Sequence, residues 1–475
     1  MIRQWGMRRT DFLLVIAMFC HSAFCDAWAQ SPAPPQIPAS APGQVPAPAP
    51  AQAPTPPPAQ VPPPPGQIPA PQRLTLHDAE ALALKNNPQI TVARLNALAS
   101  EQVVRQTRAG LLPTAVVNLT GVDAEENSRI AAGALNNPVL FSRAASGAFL
   151  SQLITDFGRS TNLLSSSKLR AKAEDQNALA TAQQIGLAVD QAFYQVLQTA
   201  ALVKVAAQTV SERQTVVDRV QALTQAKLKS DLDLSFAQVD LAQSKLLLLE
   251  AQNNYNSAQA ALSAILGFPS LQNFELVEED TGFPAPPPDV NSLIAEALQK
   301  RPDVAALAYG YQASQKFWDA ERDLMRPTVS ALATIGSVPF DTGNVPSWWG
   351  GAGVNVSIPV FNGFLFNARA HEAELASQAD NQRLLDLRNR VARDVRTAWL
   401  DLNRTYSQLD VTRQLQQQAG LALDLAQTRY DLGLGSIVEF SQAELQKTQA
   451  DISNTNARYQ YRYAQARLRY ELGEH

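Results

Sequence analysis

Histidine is the residue most often recruited for metal binding or proton transfer, and this chain has four, His21, His77, His371 and His475. They are scattered, with no metal-ligand spacing among them, so no metal centre is expected. Both cysteines, Cys20 and Cys25, lie close to the N-terminus. The chain has no G-x-x-x-x-G-K-[ST] phosphate loop and no G-x-S-x-G nucleophile elbow. The expectation is a protein that is not an enzyme and needs no cofactor. Informative polar chemistry collects instead in two short segments, KLKSDLDLS at 227–235 and YDLGLGSIVE at 430–439. Gly433 and Gly435 let the backbone reverse, and Ser436 can cap a following helix. Ser436-Ile437-Val438-Glu439 fits a capping box in which Glu439 reaches back to the cap N–H. In the other segment Asp231 or Asp233 is placed to cap, and either could instead face a lumen or a partner.

The elements that position these segments follow from composition. The chain has 475 residues, 39 basic against 43 acidic, which leaves no polycationic surface for nucleic acid. Its charged fraction of 17% is below the roughly 25% of ordinary soluble proteins. No run of 18 apolar residues follows residue 30, so a membrane crossing by the mature chain would need strands. Residues 1–29 read as a signal peptide: Arg3, Arg8 and Arg9, a short apolar core from Phe12 to Phe19, then Ala27-Trp28-Ala29. Cleavage there removes both cysteines, and Phe19 and Phe24 before them are too large for a lipid-attachment site. Residues 30–72 read as a Pro-rich disordered linker: 18 prolines fall within the 42 residues from Ser31, with no charge. Such a stretch forms a semi-extended tether.

Two proline-free stretches, from Gly158 to Gly267 and from Phe361 to the end, are rich in helix formers, each interrupted once by the segments above. Each reads as a helical hairpin. The first arm, Ser160 to Leu228, would be roughly 100 Å long, which requires partners along its length as in coiled coils. The halves repeat. A shift of 214 lays Ala81, Ala83, Leu84 and Pro88 on Ala295, Ala297, Leu298 and Pro302. A shift of 204 lays Leu228, Phe236, Gln238 and Leu241 on Leu432, Phe440, Gln442 and Leu445.

Between the helices lie four segments of membrane-strand length: Thr114 to Ala124, Ala144 to Thr155, Thr328 to Phe340 and Trp348 to Val360. In the last, Ala352, Val354, Val356 and Ile358 alternate with Gly351, Gly353, Asn355 and Ser357, apolar on one face and small or polar on the other. Four strands cannot close a barrel and open edges cannot face lipid, so several copies should combine. Trp348 and Trp349 at one end, with Phe361, Phe364 and Phe366 past the other, would form aromatic girdles at the two membrane interfaces.

LTLHDAEALALKNNP at 74–88, AGLLPT at 109–114, ITDFGRSTNL at 154–163, SIPVFNGFLFNAR at 357–369 and RYDLGLGSIVEFSQAEL at 429–445 resemble the bacterial outer membrane efflux proteins, the TolC family. The resemblance covers about residues 73–475, as a first repeat at 73–270, an equatorial connection at 271–290 and a second repeat at 291–475. It implies an α+β membrane protein, a homotrimer whose 12-stranded outer-membrane β-barrel, four strands per chain, continues into a long α-helical periplasmic tunnel. The implied function is a passive channel-tunnel of a tripartite efflux pump or type I secretion system, exporting small molecules or polypeptides. Its implied partners are a periplasmic adaptor, an inner-membrane pump and outer-membrane lipid. By resemblance Glu439 matches an acidic constriction, Tyr430 a gate tyrosine, and Asp231 and Asp233 are further gate candidates. Gln442 replaces a second acid and Gly435 a gate arginine found in some members. The turn Leu432, Gly433, Leu434, Gly435, Ser436 is the candidate adaptor contact. The alternative is a periplasmic adaptor or coiled-coil scaffold without channel activity, although that class carries one hairpin flanked by soluble β-domains.

Overall fold

The computed structural model describes residues 72–122, 143–278, 282–337 and 346–474. The expected signal peptide and linker lie outside the described residues, apart from Gln72, as do the expected strand ends 123–124 and 338–340. The chain runs through β1 (Gln72–Leu74), α1 (Leu76–Asn86), α2 (Pro88–Ala109), β2 (Thr114–Val122), β3 (Arg143–Thr155), α3 (Arg159–Gln225) and α4 (Asp231–Ile265). It continues through β4 (Phe274–Leu276), α5 (Val290–Lys300), α6 (Pro302–Arg322), β5 (Thr328–Ser337), β6 (Trp348–Ser357), α7 (Leu365–Asp431) and α8 (Ile437–Leu472).

The two longest helices, α3 and α7, have 67 residues each, about 100 Å at 1.5 Å per residue. Their buried faces explain how such rods are held. In α7, Ala370, Ser377, Leu384, Val391, Ala398, Thr405, Thr412, Ala419 and Ala426 are all buried and fall every seven residues. In α3 the same spacing links Ile185, Ala192, Thr199, Ala206, Arg213 and Val220. α4 repeats it at Ala237, Ser244, Ala251 and Ala258, and α8 at Ala443, Ala450, Ala457 and Ala464. A seven-residue repeat keeps one seam facing a partner as the helices wind left-handedly. Ala, Ser and Thr in the seam allow the axes to approach toward the short end of the ~8–10 Å range. α3 pairs with α4, α7 with α8, and α6 packs on both α3 and α7 to join the repeats.

The shorter arms of each repeat meet end to end, and each carries a break before a proline that the sequence reading did not anticipate. Asn87 and Arg301 precede Pro88 and Pro302 and are extended, at φ −67°, ψ 123° and φ −65°, ψ 123°. The proline ring excludes the helical region for the preceding residue, so α1 and α5 end there. Proline itself then starts α2 and α6, where no N–H is needed. The C-terminal end of α4 abuts the first break: Asn87 Nδ2 donates to Ile265 O at 2.9 Å. Gly267, at φ +86°, lies so close that a Cβ would sit 2.7 Å from Asn86 O. The second repeat copies this joint with Gly473 (φ +78°), where a Cβ would meet Arg301 N at 3.1 Å. Arg301 there pairs with Glu471 at 2.5 Å and Asp303 at 2.8 Å. One core cluster gathers at each joint, around Ile90, Phe193, Leu262 and Phe274 in the first repeat and Val391, Val395, Leu402 and Tyr461 in the second. β1 and β4 pair in parallel, and Leu74 and Phe274 are buried there.

The remaining strands form one antiparallel sheet in the order β2-β3-β5-β6. The register places Val117, Ala148, Ile335 and Gly350 in one row on one face and Asn118, Gly147, Gly336 and Trp349 in a row on the other. β6 stops at Ser357, short of the expected Val360, because Pro359 has no N–H to extend the ladder.

Candidate functional site

Both hairpin tips are built by local chemistry. At the first, Ser230 caps α4 by accepting from Asp233 N, and Asp233 returns the bond to Ser230 N, a complete capping box. Asp233 is thus a box partner and Ser230 the cap; Asp231 sits in the exposed first turn. At the second tip α7 ends in a left-handed Gly433 (φ +73°), with Leu434 N donating to Arg429 O at 2.8 Å. Ser436 accepts from Glu439 N at 3.1 Å. The return half of the expected box is replaced by an ion pair: Glu439 Oε1 meets Arg429 Nε at 3.1 Å. Gly435 makes room for it, since a Cβ there would lie 3.2 Å from Glu439 Oε2 and 3.3 Å from Arg429 Cβ. Glu439 is thus paired with a guanidinium carried by α7.

The tips of the two hairpins are tied together. Arg219 Nη1 on α3 donates to both oxygens of Asp431, at 3.1 Å each. Lys229 Nζ, between α3 and α4, donates to Tyr430 O at 3.3 Å and stands 3.8 Å from the Tyr430 ring centroid. Tyr430 is buried, stacks on Phe440 at 5.6 Å and 9°, and its hydroxyl has no hydrogen-bond partner among the described residues. Burial, reinforced by the charges of Asp233 and Asp431, pushes the phenol up to about 12. Leu432 and Leu434 project from the turn and are exposed.

The structure therefore brings Tyr430, Asp233, Glu439 and the 432–436 turn into one end of the helical body. The sequence reading missed Lys229, Arg219, Arg429 and Asp431. Only Arg429 and Glu439, three residues before and three after the turn, carried a local signal; the other pairs join distant segments.

At the sheet, alternation separates the two tryptophans. Trp348 shares the apolar face with Val354 and Val356, all exposed. Trp349 lies on the opposite face, its ring across Gly336, where a Cβ would sit 2.4 Å from a ring carbon, and near Gly147. The expected pairing of both rings in one girdle is incompatible with a two-residue period. Phe361 and Phe364, beyond β6, pack edge to face at 5.8 Å and are 77% and 69% exposed.

A membrane-length sheet with one apolar face, continuous with paired helices of about 100 Å, is the architecture of an outer-membrane protein with a long helical body. The chain belongs to the outer membrane efflux protein family, whose profile matches residues 81–268 and 293–474. This places it in the outer membrane with its helical body in the periplasm. It is 22% identical over 240 residues to the outer membrane protein TolC of Escherichia coli, covering 47% of this chain and 48% of TolC. The match thus spans about half the length of TolC. Similarity to the antibiotic efflux pump outer membrane protein ArpC of Pseudomonas putida is 24% over 379 residues, 76% of this chain and 75% of ArpC. Among solved structures, CusC superposes with a TM-score of 0.74 at 19% identity, over 84% of this chain and 92% of CusC. The outer membrane protein VceC of Vibrio cholerae gives 0.70 at 17%, over 84% and 96%.

Proposed function

We propose that three copies of this chain form a passive outer-membrane channel-tunnel, the outer component of a tripartite efflux pump or type I secretion system. The observation that carries this reading is the open four-stranded sheet. Its edges, β2 and β6, are unpaired among the described strands, and its apolar face exposes Val117, Leu119, Ile335, Val354 and Val356. Unpaired edges are untenable in hydrocarbon, and three copies of four strands make a closed 12-stranded barrel. Exposed Leu232, Val239 and Leu246, spaced by seven on α4, supply a second seam for a neighbouring chain. The small, polar face of the sheet then lines water, Trp348 meets the outer interface, and Phe361 and Phe364 meet the inner one.

The tips face the pump. Leu432 to Ser436 form the contact for a periplasmic adaptor, and Glu439 contributes an acidic ring at the narrow end, partly neutralised by Arg429. Energy comes from an inner-membrane partner. The test is the native mass of protein extracted from outer membranes in mild detergent, followed by planar-bilayer conductance. A mass of three chains with single-channel steps is expected. A monomer without conductance would overturn the channel and leave the scaffold reading.

A further inference from the structure

About two to three turns above the tips, one largely buried cluster uses charge chemistry that a channel wall does not require. Arg213 on α3 and Glu444 on α8 are each more than nine-tenths buried and are in direct ion-pair contact. The same Nη1 of Arg213 reaches Asp240 Oδ2 on α4 at 3.3 Å. Ser441 Oγ, also on α8, donates to that Asp240 oxygen at 2.5 Å. Three helices from both repeats thus meet at one guanidinium and two carboxylates. The cluster sits directly above the apolar layer of Val217, Val220, Leu241, Phe440 and Tyr430 that holds the tips together.

We propose that Arg213, Asp240, Ser441 and Glu444 form a proton-operated latch that clamps α8 to the α3/α4 hairpin and sets how readily the tips part. The proposal rests on the channel reading for its consequence, but the latch itself is a property of the chain. With both carboxylates ionised the cluster, in which Asp240 is partly exposed, carries one more negative than positive charge, and a single proton balances it. Burial pushes the Glu444 carboxyl up to about 7; Arg213 opposes this, while Asp240 and Glu212 reinforce it. These are the charged groups facing Glu444 from α3 and α4. α7 presents Leu423 and Ala426 to this layer, its Asp424 is exposed, and Lys447 on α8 is bound to Asp451.

The direction of the response follows from linkage. With α8 swung away, Glu444 meets water and titrates as an ordinary carboxylate. The clamped form therefore holds the proton more tightly, so acid favours clamping. Its contribution is full below the ordinary carboxylate range and is lost as pH rises through about 7. Across pH 5 to 8 the open-to-clamped ratio should rise roughly fifty- to a hundredfold.

The experiment measures conductance of the full-length protein in planar bilayers from pH 5 to 8, with hydrogen exchange of amides 437–448 corrected for intrinsic rates. In wild type, conductance and exchange should both rise with pH. Glu444→Gln, which mimics the protonated acid, should flatten both at their low-pH level. Asp240→Asn should move the midpoint to lower pH by leaving Glu444 alone with Arg213. Glu275→Gln, exposed on β4 and outside both the tips and the cluster, should keep the wild-type profile. Conductance and exchange that ignore pH, or a Glu444→Gln profile like wild type, would overturn the latch and leave the channel. No conductance at any pH with exchange still governed by Glu444 would overturn the channel and leave the latch.

Discussion

Tyr430 shows how a residue with a gating resemblance behaves in its own chain. Its ring is clamped between Phe440 and Lys229, yet its hydroxyl is buried without a partner. An unpaired buried hydroxyl costs about 1–3 kcal/mol, so Tyr430→Phe should hold or raise the thermal midpoint in detergent. Tyr430→Ala should cost about 3–5 kcal/mol, because it empties the layer under both tips. Glu439 divides its roles differently. Its backbone N–H serves the Ser436 cap and its carboxylate faces Arg429 at the exposed turn. Glu439→Gln should therefore leave folding intact while lowering the cation-over-anion permeability ratio in asymmetric salt. An unchanged ratio would confine Glu439 to the turn.

The glycines at element joints are required by close approach rather than by turns alone. Gly267 combines φ +86° with a Cβ position 2.7 Å from Asn86 O, backbone that cannot move without unstacking α4 from α2. Gly267→Ala should cost more than the ordinary glycine-to-alanine strain of about 1 kcal/mol, read as a lower melting midpoint. In the sheet, Gly336 faces the flexible end of a side chain, the Trp349 ring at 2.4 Å. Gly336→Ala should destabilise by about 1–3 kcal/mol, and adding Trp349→Ala should recover most of that, a coupling that a double-mutant cycle measures. The helical seams explain why hydropathy alone understates these elements. Of the nine seam positions of α7, only Leu384 and Val391 are large and apolar, and the other seven are Ala, Ser or Thr.

On the scale of the whole molecule, the described residues leave two kinds of surface unfinished, the sheet edges and the outer seam of α4. In the trimer proposed above, both are completed by the same operation, adding copies around one axis. If so, a charged substitution on the sheet's apolar face and one on the α4 seam should fail at the same step. Val354→Lys and Val239→Lys are each expected to shift the native mass in detergent from three chains to one. A barrel-face variant that remains trimeric while the α4 variant does not would assign assembly to the helices alone.

The sequence by itself determined the helical hairpins, their duplication, the four strands and the family. These follow from signals local in the chain: proline placement, two-residue alternation and tip motifs repeated at nearly constant shifts. It also marked Ser436 as a cap and the glycine turn before it. It did not show that α1 and α5 break off at Asn87 and Arg301, although Pro88 and Pro302 carried the reason. Nor did it separate Trp348 from Trp349, which needed strand register to decide the face. Only the tertiary structure joined Lys229 to Tyr430, Arg219 to Asp431 and Arg213 to Glu444. Each pair lies about 200 residues or more apart, and an ion pair between exposed-looking side chains leaves no periodic trace. Pairing of that kind is fixed by how two repeats pack, which brings the partners together and, for Arg213 and Glu444, removes the water that would otherwise solvate each charge alone.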